Sequence, residues 1–165
     1  MTEEMPAGWG DFFVATAGAA GALAGLIIVA MTVNITTIIN IPSMTSRAGA
    51  TIASLVLIVV SAAAGLIPGQ GVRLLGVEVL AFAAVAMTLT IDSAARMVRA
   101  LDRRYLAVTW VKIFFAIMQI LPFVIGAVLL LAGSYSGLYW IAAGVLLVFV
   151  GSVANAWVLL VEILR

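Results

Sequence analysis

Between Asp11 and Arg47 the chain carries no ionisable side chain. The stretch opens FFVATAGAAGALAGLIIVAMTV, runs on through NITTIIN, and meets Pro42. A bilayer-spanning helix needs only about 20 apolar residues, so this run alone sets the solvent in which the chain folds. Four more runs of the same kind follow. The sequence therefore predicts an all-α integral membrane protein with five transmembrane helices in a single domain, residues 1–165. The expected spans are 11–40, 48–67, 72–92 with a helical extension to 104, 108–132, and 138–160. Pro42, Ser43, Thr45 and Ser46 read as the linker before the second span. Pro68-Gly69-Gln70-Gly71 reads as the turn before the third.

Composition agrees. Of 165 residues, 65% are hydrophobic and 9% charged, against about 25% charged in a soluble domain. The mean hydropathy is +1.30. There is no cysteine and no histidine, which removes disulfides, thiol chemistry and the common zinc and haem ligand sets. No cofactor or metal is expected. The acidic flank Thr2-Glu3-Glu4 and the length of the first run differ from a cleaved signal peptide.

Five spans put the termini on opposite sides, and the cations choose the orientation. With the N-terminus outside and the C-terminus inside, Arg47, Arg96, Arg99, Arg103, Arg104, Lys112 and Arg165 are all internal, and Arg73 alone is external. That is the positive-inside pattern, so the basic residues need no nucleic acid to explain them. Trp9, Tyr135, Tyr139 and Trp140 then fall at the outer interface, and Tyr105, Trp110 and Trp157 near the inner one.

In the first span, at about 100° per residue, Gly18, Gly21, Ala22, Gly25, Val29, Thr32, Thr36 and Asn40 share a narrow sector. Gly21 and Gly25 form a G-x-x-x-G pair, a spacing that lets helix backbones approach closely in lipid. Two readings stand for this stripe: helix packing, or a water-filled path lined by Thr32, Thr36 and Asn40. The fifth span aligns Gly137, Gly144, Gly151, Asn155 and Glu162. The fourth aligns Lys112, Gln119, Gly126 and Gly133, and the second Arg47, Ser54, Ser61 and Gly65. Gly144 and Gly151 read as packing positions. Gln119 and Asn155 are candidates for interhelical hydrogen bonds or for an ion path, and Pro122 is expected to kink the fourth helix beside Gln119.

Glu78 is an ionisable group inside the third span, a position costly enough to be functional by default. It is a candidate ion-pathway residue. The structural alternative is an ion pair with Arg73 or a hydrogen bond to the backbone or to Gln70. Asp92 and Arg96 stand four apart in the order that favours a helical ion pair. Arg96, Arg99, Arg103 and Arg104 have the composition of an anionic-lipid site or a basic inner vestibule.

Trp9-Gly-Asp-Phe-Phe, the Ala/Gly stripe ending Leu-Ile-Ile-Val-Ala-Met, Arg47-Ala and Ile67-Pro-Gly-Gln resemble a group of small bacterial multi-pass membrane proteins of unassigned function, some labelled as modulators of the FtsH membrane protease. The resemblance covers mainly the first 78 residues and carries no catalytic motif. It implies the bacterial cytoplasmic (inner) membrane.

An enzyme is not expected, since no His, no Cys and no carboxylate pair at working spacing supplies a nucleophile with a base, or a metal set. The leading expectation is a homo-oligomeric channel for small ions, surrounded by lipid, with Glu78 or Thr32/Thr36/Asn40 repeated around an axis. A membrane interaction protein that binds another complex is the next reading, and a small secondary transporter the third.

Overall fold

The computed structural model describes the backbone of residues 5–33, 35, 42–99 and 106–163, and side-chain surroundings for 5–33, 35, 49–92, 94, 95, 98 and 114–157. Among the described residues the regular structure is helical throughout. The helices are α1 (Trp9–Val33), α2 (Pro42–Gly65), α3 (Val72–Arg99), α4 (Leu106–Leu131) and α5 (Ser136–Ile163). Four of them have stretches long and apolar enough to cross a membrane: Trp9–Val33, Val72–Asp92, Phe114–Leu131 and Ser136–Trp157. Within α2 the described side chains form a further apolar stretch, Gly49–Gly65.

One boundary departs from expectation. α2 begins at Pro42, so residues read as a linker form its first turns. Proline has no amide hydrogen to lose at a helix start, and its fixed φ is already helical; the residue that ends the first run also starts the next helix. The end of the expected first span, the extension of the third beyond Arg99, and the final two residues lie outside the described backbone. α4 passes through Pro122 without a break, leaving the Met118 carbonyl without its usual amide donor.

The helices run up and down. At the near end, where α1, α3 and α5 start, the Phe13 ring sits under Gly65, and Gly76 lies on the backbone of Ala127 and Leu131. Trp9 meets Tyr139 edge-on with ring centroids 5.1 Å apart. Two glycines make the connections. Gly69 has φ 70° in the α2–α3 turn. Gly133 has φ 79° and closes α4, with its amide bonded to Leu130 O at 2.9 Å and that of Ser134 to Leu129 O at 2.9 Å. Together these satisfy two of the carbonyls a helix end leaves open.

α2, α3, α4 and α5 pack each on the next, and α2 meets α5 to close a four-helix bundle. α1 lies outside this bundle, chiefly on α2 with a lesser contact to α5. The bundle axis is filled: Leu55, Ile58, Val79, Ala83, Ile120, Phe123, Ala127 and Val148 are all inaccessible. The outside is equally apolar, with Leu26, Val33, Val85, Phe115, Leu146 and Val150 exposed. A protein apolar on both sides of its wall is matched to lipid rather than to water.

Glycine sets the distance between α4 and α5. A Cβ on Gly126 would lie 2.7 Å from the Gly137 carbonyl oxygen, and one on Gly137 would collide with the Gly126 oxygen. Two turns further along α5, a Cβ on Gly144 would lie 2.6 Å from the Phe123 ring. The two backbones therefore touch, and α5 presents its glycines at Gly137, Gly144 and Gly151 to α4.

Candidate functional site

Three groups of polar or small residues stand out. The first is at the near end. Glu78 lies on the second turn of α3 and is half-buried. The α2–α3 turn brings Gln70 back over it, and the Gln70 amide donates to Glu78 Oε2 at 2.5 Å. Arg73 does not pair with it. Five residues on a helix rotate a side chain by about 140°, and Arg73 instead reaches toward the α4–α5 turn, where a Cβ on Gly133 would be 3.7 Å from its Nη2. Of the partners open to Glu78 from sequence, the structure provides Gln70.

The second group is the outer face of α1. The helix buries Phe13, Thr16, Ala20 and Ile27, a sector about 150° from the glycine stripe. Gly18, Gly21 and Gly25 each have open space where a Cβ would stand. Ala22, Val29 and Thr32 on the same side are exposed. The stripe therefore has no partner within this chain's described residues. The Thr32 hydroxyl donates to Ile28 O at 2.8 Å. Both faces of α1 are apolar, so periodicity could not tell which one the rest of the chain covers. Thr36 and Asn40 lie outside the described residues.

The third group is a polar seam inside the bundle, toward the far end. Asn155 on α5 donates from Nδ2 to Thr51 Oγ1 on α2 at 3.3 Å. Thr51, Ser54 and Ser152 are buried. Ser54 donates to Ala50 O at 3.0 Å. Gln119 of α4 lays its amide on Gly151; a Cβ there would meet Gln119 Cδ at 2.8 Å. Gln119 of α4 and Thr51 of α2 thus come to the same stretch of α5, at Gly151 and Asn155, from two neighbouring helices. Thr51 and Ser152 were not singled out from sequence. The signal available was their spacing, Thr51 three residues before Ser54 and Ser152 three before Asn155, which puts each pair on one helix face.

The side chains of Arg47, Arg96, Arg99, Arg103, Arg104 and Lys112, the basic cluster expected from sequence, lie outside the described residues. Among the described residues, no three of His, Cys, Asp and Glu gather as a metal site would require. The chain matches no known protein family model, no curated protein and no solved structure.

Proposed function

We propose that this is a five-span protein of the bacterial inner membrane, N-terminus outside and C-terminus inside. Its copies assemble through the outer face of α1 into a channel for small ions. α2 is the fifth span. At 24 residues it is about 36 Å long. Its polar face of Thr51, Ser54 and Ser61 is buried among neighbours, so these hydroxyls cost little in lipid.

The observation that carries the reading is the position of α1. It stands outside a bundle whose axis is filled among the described residues, which leaves ions no route there through one copy. Its stripe of Gly18, Gly21 and Gly25 is open to another helix. In lipid, close backbone approach through small residues is a main source of helix association. In a ring of copies the glycine part of this face meets the next copy, and Thr32 at its far end rings the axis with hydroxyl groups, a lining that conducts by replacing part of an ion's hydration; the sequence puts Thr36 and Asn40 in the same sector.

A second reading, a membrane protein that docks on a different complex through the same stripe, is favoured by Glu78. Its carboxylate is already engaged by Gln70 of its own chain and is less available to line a path.

One experiment separates them. The chain has no cysteine, so Gly21→Cys introduces a single thiol into native membranes. The channel reading expects oxidation to link copies into dimers, native mass spectrometry to give one discrete subunit number, and Thr32→Val to change conductance in a planar bilayer. A monomer, or a stoichiometric complex with another protein, would remove the ring and leave the docking role.

A further inference from the structure

Ser152 is 1% exposed, and its Oγ has no hydrogen-bond partner among the described residues. A buried hydroxyl left unpaired costs about 1–3 kcal/mol, so its position requires an account. Three residues along the same face of α5, Asn155 bonds Thr51 of α2. α2 and α5 are antiparallel, so stepping one turn from that pair brings Ser54 level with Ser152. The Ser54 hydroxyl gives its proton to Ala50 O and keeps lone pairs to accept with. Gln119 approaches from α4 at Gly151, the neighbouring residue. The Asn155–Thr51 bond, at 3.3 Å, is at the long end of the N–H···O range, so the seam is not drawn tight here.

We infer that a bound water molecule occupies the junction of α2, α4 and α5, accepting from the Ser152 hydroxyl and donating to Ser54 Oγ. A buried water needs two to four polar partners, and this junction brings together Thr51, Ser54, Gln119, Ser152 and Asn155. The ligand is neutral. None of the five side chains carries charge, and an unneutralised cation buried here would cost far more than hydroxyls and amides return. It must also donate and accept at once, which water does and an apolar filler does not. The site is within one subunit and independent of how copies assemble. Ser61 is a contrast. Its Oγ is likewise buried and unpartnered, but its level on α5 is that of Gly144 and Val145, where no polar side chain stands.

A crystal structure grown from a lipidic phase, at a resolution that shows ordered water, tests this directly. Density within hydrogen-bonding distance of both Ser152 Oγ and Ser54 Oγ is expected. A dry junction, with the Ser152 hydroxyl turned back to the Val148 carbonyl, overturns the inference. Thermal unfolding in detergent gives an independent sign. Ser152→Ala orphans the water and is expected to lower the midpoint by about 2–4 °C. A dry, unpaired hydroxyl predicts the opposite, since its removal relieves a cost, and an unchanged or raised midpoint would refute the bound water; a lowered midpoint supports it only together with the density, because a hydroxyl turned back to the Val148 carbonyl would also lose a bond.

Discussion

Replacing Gly126 with alanine tests the claim that α4 and α5 are held at backbone contact. The new Cβ would stand 2.7 Å from Gly137 O, 2.8 Å from Ile141 Cγ1 and 3.1 Å from Ile141 N. Comfortable carbon–oxygen approach begins at about 3.3 Å, so the helices must part by roughly 0.6 Å. Two of the three obstacles are backbone atoms, which cannot swing aside. A radial gap of that size forfeits a quarter to a half of each dispersion contact along the seam, and overpacking of this kind costs about 1–3 kcal/mol. Alanine recovers up to about 1 kcal/mol of helix propensity. The net expectation is a loss of about 1–2 kcal/mol, a factor of roughly 5–30 in the folded ratio. Equilibrium unfolding in mixed detergent micelles, followed by far-ultraviolet circular dichroism, measures it. Gly151→Ala is the matched control. Its obstacle is the amide end of Gln119, a flexible side chain that is only half-buried, so it should stay within about 1 kcal/mol of the native protein. If Gly126→Ala is as stable as the native chain, or if both variants lose equally, the backbone-contact argument fails.

Two more outcomes follow from the polar contacts. Asn155→Ala should cost about 0.6–1.7 kcal/mol, the range for interhelical hydrogen bonds in lipid. Paired with Thr51→Val it should show a non-additive double-mutant cycle, and strict additivity would mean the 3.3 Å contact carries no energy. Gln70→Leu should destabilise by about 1–3 kcal/mol, because Glu78 loses its donor. Adding Glu78→Leu should restore most of that loss, since an apolar pair leaves nothing unsatisfied; a double variant weaker than the single one would overturn the pairing.

Helix positions were legible because the signals are local. The chargeless run from Asp11 and the Pro68-to-Gly71 turn mark helix positions through backbone chemistry that needs no neighbour. Pro42 was misjudged because proline both stops one helix and starts another, and only the register of the following residues decides which. Glu78 was legible as a residue in need of a partner, but the choice of Gln70 over Arg73 depended on how the turn folds back.

From the sequence alone came the solvent, the helical class and the existence of small-residue stripes, since charge density and glycine spacing are properties of the chain itself. Which stripe meets which helix was decided only by tertiary packing. The α5 glycines turned inward, because Gly126 and Phe123 offered surfaces that only a missing side chain could approach. The α1 glycines turned outward, because Phe13, Ala20 and Ile27 on the opposite face filled the groove beside α2. In a helix apolar all round, burial is set by shape rather than polarity, and shape complementarity exists only once the partner helix is in place.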